Sequence, residues 1–156
     1  MTELDNVGAS WEGWSTRATW CANLWISNEQ QPYTEALAAD PRHFKANFNR
    51  GFAHDKLSRF DAAVADYSAA IVLQPENAFA YYNRGISRER AADYGGALVD
   101  FSAAVRLAPN NADFFHNRGF CHRRLARYED AIADYSAALR VDPRHFKALF
   151  NRAFAH

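Results

Sequence analysis

The chain has two cysteines and one methionine in 156 residues. Cys21 and Cys121 lie far apart with no CxxC pattern, which excludes a disulfide framework and a zinc ribbon. They read as reduced thiols packed as small hydrophobes. No apolar run approaches the roughly 20 residues that a membrane helix needs. The opening MTELDNVGAS is acidic and has no apolar centre, so it does not read as a secretory signal. No Asn-x-Ser/Thr sequon occurs. These absences together predict a cytoplasmic chain. Net charge is zero, with 18 basic and 18 acidic residues, and Arg and Lys alternate with Asp and Glu. Nucleic-acid binders usually show a clustered basic face, so neither a nucleic-acid nor a membrane partner is expected. Phosphate-binding glycine loops, GxSxG and HExxH are all missing. The chain is therefore read as non-enzymatic, with no catalytic residue, no cofactor and no metal site.

What the sequence has is a rhythm. The stretch Pro75 to Ala108 falls on Pro41 to Gln74 when slid back 34 residues, and on Pro109 to Asp142 when slid forward by the same step. Pro143 opens a further copy that runs to His156. A fixed period of this size signals stacked repeats. Each unit carries two helical patterns separated by a tight turn. The first spans about Arg42 to Leu57, Glu76 to Ala91 and Asn110 to Leu125. The turns fall at Ser58-Arg59, Ala92-Asp93 and Ala126-Arg127. The second spans Phe60 to Leu73, Tyr94 to Leu107 and Tyr128 to Val141, and proline then closes the unit. Two such helices cannot bury their apolar faces alone, so stacking must complete the core. The boundaries expected are a Trp-rich segment at 1–31, then a solenoid at 32–156 with repeats at 44–77, 78–111, 112–145 and a partial one at 146–156.

Several columns recur in step. Gly51, Gly85 and Gly119 share one, and Ala63, Ala97 and Ala131 a second. Tyr67, Phe101 and Tyr135 form a third, Ala70, Ala104 and Ala138 a fourth, and Pro75, Pro109 and Pro143 a fifth. On these residues the unit resembles the tetratricopeptide repeat (TPR). The resemblance implies an all-α, right-handed superhelix of antiparallel helix pairs used for protein–protein interaction. A glycine inside a helix costs about 1 kcal/mol relative to alanine, which is tolerable where two helices approach too closely for a side chain. Arg50, Arg84, Arg118 and Arg152 stand where the family often has an apolar residue, and Asp66, Asp100 and Asp134 follow the first three sixteen positions on. That spacing predicts a desolvated ion pair between the two helices of a unit. His54, His122 and His156 share one column and His43 and His145 another, and both read as packing columns.

In the resemblance, one face of the first helices lines a concave groove. Here that face holds Asn49, Asn83, Asn117 and Asn151, with Phe48, Phe52, Tyr82, Ile86, His116 and Phe120 beside them. A carboxamide offers both donor and acceptor. The invariant asparagine column resembles the ladder of the O-linked N-acetylglucosamine transferase and kinesin light chain repeats, which implies an extended peptide as partner. Bridging between neighbouring helices is the competing role for these amides. The carboxylate clamp of chaperone-binding TPR groups does not fit. Phe48 and Phe52 replace its first Lys and Asn, and Asp113 stands where Lys is needed.

The two ends differ from the middle. Trp11, Trp14, Trp20 and Trp25 are all of the tryptophans and lie before the repeats. A helix is expected from about Thr16 to Asn28, with its indoles either plugging the open end of the stack or forming a binding surface. A second helix is expected to start at Pro32 and to pack near Phe48 and Phe52. At the other end, Asp142 to His156 copies Asp40 to His54 except at Leu149 for Asn47 and Ala153 for Gly51. Leu149, Phe150 and Phe154 are expected to stay partly exposed. Two explanations compete: the chain is a fragment of a longer array with a three-unit super-repeat, or another molecule completes the end. In the second, docking of the Trp-rich segment of one molecule on that tail of another would propagate head to tail into a filament.

Overall fold

The computed structural model of the chain describes residues 31–155. These form eight helices and no strand: α1 (31–39), α2 (Phe44–Lys56), α3 (Phe60–Leu73), α4 (Ala78–Arg90), α5 (Tyr94–Leu107), α6 (Ala112–Arg124), α7 (Tyr128–Val141) and α8 (Phe146–Ala155). From α2 onward each helix packs chiefly on the one before and the one after it. First helices of neighbouring units also touch, α2 with α4 and α6 with α8. The result is an all-α repeat solenoid.

The second helices have the bounds that the apolar pattern predicts. The first helices start two residues later than the pattern suggests, and the cause is capping. His43 accepts a hydrogen bond at its Nδ1 from the Ala46 amide at 3.1 Å, and His145 does the same for Ala148. Asn77 and Asn111 cap α4 and α6 with their side-chain oxygens. One column thus runs His, Asn, Asn, His and serves as the N-cap throughout. His43 and His145 are therefore caps rather than the packing residues that the repeat pattern suggests.

The turns inside each unit are left-handed closures. Ser58, Ala92 and Ala126 have φ of 57°, 63° and 57°. The Arg59 amide donates to the His54 carbonyl and the Ser58 amide to the Asp55 carbonyl, at 2.9 and 3.0 Å, and the same pair recurs in the next two units. This is the Schellman arrangement, which usually places glycine at the left-handed position. The closure returns α3, α5 and α7 along their partners.

The core runs between the two helices of each unit and on to the next first helix, where Cys121 joins Ala97 and Phe101, and Phe114 joins Ala104. Ala63, Tyr67 and Ala70 are buried in the first, Ala97, Phe101 and Ala104 in the second, and Ala131, Tyr135 and Ala138 in the third. Gly85 explains the glycine column, since a Cβ there would lie 2.8 Å from the Phe101 ring. In α1, Leu37 is buried, and Thr34, Leu37 and Ala38 border a cleft with Pro41, Asn47 and Arg50. That cleft places α1 on the Asn47–Arg50 side of α2. Phe48 instead meets Tyr67 at 5.5 Å, and Phe52 is exposed. The tryptophan helix expected at Thr16 to Asn28, with Trp11, Trp14, Trp20, Trp25 and Cys21, lies outside the described residues, as does His156.

Candidate functional site: the first-helix face

The arginine–aspartate columns form the frame that fixes this face. Arg50 grips Asp66 with Nε and Nη2 at 2.9 and 2.6 Å, and Arg118 grips Asp134 at the same distances. Arg84 holds the fully buried Asp100, with Nη2 at 2.7 Å from Oδ1, and reaches back to the Ser68 hydroxyl of the preceding unit at 2.9 Å. These are two-pronged charge-assisted bonds, the strongest class available to side chains. Arg50 and Arg118 hold their protons more tightly than free arginine, chiefly through the bonds to Asp66 and Asp134.

Four residues after each arginine comes a second nitrogen-bearing side chain that faces the same carboxylate. Arg88 donates to Asp100 at 2.9 Å, while His54 and His122 approach Asp66 and Asp134 at 3.7 and 3.8 Å. The histidine column read as packing thus faces the buried aspartates. Its signal in the sequence was the step of four from arginine, one helical turn on the same face. A further link joins units: buried Asp55 accepts from the Ser87 hydroxyl at 2.9 Å and pairs with Arg90. One unit on, the half-buried Glu89 carboxyl and the buried Cys121 thiol are both pushed up by burial, the thiol to about 12. At that value Cys121 is an inert packing residue.

On this frame the asparagines stand in a row, and the amide nitrogens of Asn83, Asn117 and Asn151 are engaged. Asn83 Nδ2 donates to the Phe79 carbonyl at 2.8 Å. Asn117 Nδ2 donates to the Asp113 carbonyl at 2.9 Å and to the Tyr82 hydroxyl at 3.0 Å. Asn151 Nδ2 lies 3.0 Å from His116 Nε2. The contacts to Tyr82 and His116 cross from one first helix to the previous one, so these amides bridge units. Their side-chain oxygens have no hydrogen bond among the described residues. Asn49 is exposed.

The aromatic neighbours divide into packing and open residues. Tyr82 lies 4.8 Å from Phe114 and 5.8 Å from Phe101, and burial pushes its hydroxyl up to about 12. His116 is buried beside Tyr135 and His145, with ring centroids 5.8 and 5.1 Å away. Burial, then the nearby His145 and Lys147, lowers it to about 4, so it is neutral and its Nε2 accepts from Asn151. Phe48 and Ile86 are half-buried, and Phe120 carries the Arg123 guanidinium 5.2 Å above its ring. Phe52 and Phe79 stay open, Phe79 at 56% exposure. Phe79 belongs to the same face, and only its exposure distinguishes it from its neighbours.

α8 repeats the first-helix face, and among the described residues it packs chiefly on α7. Ala148 and Ala155 are buried against α7, while Leu149, Phe150 and Phe154 are exposed, Phe150 at 54% and Phe154 at 70%. Phe146 extends that surface, and the Phe150 and Phe154 rings pack at 4.8 Å. Among the described residues no cluster of His, Cys, Asp and Glu could hold a metal ion, and no helix is long and apolar enough to cross a membrane.

Helix pairs of fixed length, an in-step core and a lined face define the class: an all-α repeat solenoid. Within it, the family model described as "Tetratricopeptide repeat" matches residues 112–145 and one described as "TPR repeat" matches residues 56–90. The chain belongs to the tetratricopeptide-repeat family. No curated protein matches it. Among solved structures, the crystal structure of MamA is similar at a TM-score of 0.81 and 20% identity, over 83% of this chain and 76% of that one. The Arabidopsis OM64 TPR domain is similar at 0.70 and 26% identity, over 72% of this chain and 93% of that one. The first TPR of Spaghetti, bound to an HSP90 peptide, is similar at 0.70 and 23% identity, over 72% and 89%.

Proposed function

We propose that the chain is a non-catalytic interaction scaffold that holds an extended peptide along its first-helix groove. The observation that carries this reading is the row of asparagine side-chain oxygens at 83, 117 and 151. Their amide nitrogens are already engaged, so the row offers acceptors. An extended backbone presents N–H groups along one edge, and these are donors for such a row. Open Phe52 and Phe79 supply apolar surface beside it. The family supports the interaction role, and a neighbour of the same fold holds a peptide. A chaperone carboxylate tail is not the expected ligand, because Asp113 puts an exposed negative charge where such a tail needs a cation. Peptides selected from a random displayed library test the reading. Their affinity should fall at least about tenfold for Asn83→Ala combined with Asn117→Ala, the loss expected from hydrogen bonds left unmade. Unchanged affinity would exclude the ladder.

A second reading is favoured by the exposed Leu149, Phe150 and Phe154. In it the chain self-assembles head to tail, the Trp11–Trp25 stretch of one molecule covering α8 of the next. Light scattering at rising concentration should then show growth, and removal of residues 1–31 should abolish it. A monodisperse monomer at high concentration removes this reading.

A further inference from the structure

The first helices carry a charge that matches a stretch of the same chain. Lys45, Lys56, Arg90, Arg124 and Lys147 are exposed on α2, α4, α6 and α8. Of the carboxylates on these helices among the described residues, only Asp113 is exposed. Apolar surface accompanies the cations. The Lys56 ammonium stands 4.9 Å from the centre of the Phe52 ring, which is 47% exposed, and Phe79 is open on the next first helix. Lys45 lies one turn before Asn49 on the same face. Ahead of the described residues, Trp11, Trp14, Trp20 and Trp25 come with Glu3, Asp5, Glu12 and Glu29, against Arg17 alone. Indoles beside carboxylates complement phenyl rings beside cations.

The other faces fit this stretch less well. On α1 no large hydrophobic residue is exposed, and the exposed Glu35 and Asp40 would repel its carboxylates. Val72 and Val99 are open on the second helices, whose exposed charges are of both signs. Reach is no obstacle. α1 lies on the Asn47–Arg50 side of α2. The chain from Trp25 to the start of α1 extends about 20 Å at 3.3–3.6 Å per residue, about twice the distance between packed helices. So short a tether holds the stretch near its own first helices at an effective concentration on the order of millimolar, which favours it over a second copy.

We infer that the stretch from Trp11 to Trp25 folds back on the first-helix face of its own chain and screens it from other ligands. Its indoles cover Phe52 and Phe79, and its carboxylates face Lys45 and Lys56. The inference rests on the reading of that face as the peptide groove, and it adds a built-in competitor to it. A peptide must displace this stretch before it reaches the asparagine row.

All four tryptophans lie in this stretch, so indole fluorescence reports on it alone. Acrylamide should quench the full chain about twofold less than the same chain unfolded in urea, as for indoles largely covered by a packed surface. Phe52→Ser with Phe79→Ser should remove that protection, and so should Lys45→Glu with Lys56→Glu. Val72→Ser with Val99→Ser should leave it unchanged. In the full chain, Trp11→Ser, Trp14→Ser, Trp20→Ser and Trp25→Ser together should tighten the library-selected peptides about tenfold, since a groove open about one-tenth of the time binds about tenfold more weakly. Quenching equal to that of the unfolded chain would overturn the proposal. Protection indifferent to both groove pairs would do the same, and so would peptide affinity indifferent to the serine substitutions. Protection that grows with chain concentration would overturn it in favour of a second copy. The groove reading fails on a different result, peptide affinity unchanged by Asn83→Ala with Asn117→Ala, whereas the quenching needs no added peptide.

Discussion

His116 makes acid stability a direct test of how the first-helix face is built. Its imidazole is buried, accepts from Asn151 and faces His145, Lys147 and Asp113. Folding lowers it from 6.5 to about 4, so between those values the unfolded chain binds a proton that the folded chain refuses. Stability from this group is therefore present above 6.5 and lost as pH falls toward 4. Lowering the solution from about pH 7 to about pH 5 should destabilise the fold by about 2 kcal/mol through His116 alone. The control is His116→Tyr, which copies Tyr82 in the same column and keeps a hydroxyl to accept from Asn151. Extra bulk costs the variant stability at every pH, so the readout is the slope and not the level. Urea unfolding followed by circular dichroism across that range gives both slopes. His54 is also lowered, mainly by burial, and contributes equally to the two proteins. Identical slopes would refute the buried, neutral assignment of His116.

The frame and the turns give further expectations. Asp100→Asn should destabilise the chain by about 3–5 kcal/mol, because Arg84 and Arg88 would keep their charges without the carboxylate that compensates them; a loss under about 1 kcal/mol in urea unfolding would contradict the burial of that cluster. Gly85→Ala and Gly95→Ala should act in opposite directions. The first drives a Cβ against Phe101 and lowers stability by about 1–2 kcal/mol. The second meets only Asp93 Oδ1 at 3.9 Å and should raise it by about 0.5 kcal/mol through helix propensity. Ala126→Gly relieves a left-handed alanine and should stabilise by about 0.5–1 kcal/mol, read as a higher thermal midpoint.

The period of 34 residues made the architecture legible, because each column meets the same environment in every unit. The step of sixteen from Arg84 to Asp100 likewise exposed the ion pair, since a contact repeated in register leaves a repeated spacing. What stayed hidden depends on direction within a column. Histidine at 43 and 145 caps a helix, while histidine at 54 and 122 faces a buried carboxylate, and residue type alone does not separate the two. The asparagine column was visible, but the commitment of its nitrogens to Tyr82, His116 and its own helices needs the distance between units. The openness of Phe79 and the burial of His116 follow from which neighbour stands over each, and periodicity carries no such information.

The reach of Arg84 to Ser68 has a consequence for how the array comes apart. One guanidinium spans three helices, its own, the partner that carries Asp100 and the last helix of the preceding unit. Peeling away the preceding unit would take the Ser68 hydroxyl from Arg84, which keeps Asp100 in its own unit, and would part Asp55 from Arg90, so units at the joints guarded in this way should melt together. Because every such joint is of local construction, splicing in another 34-residue module ought to lengthen the spiral without asking any existing side chain to change its partner.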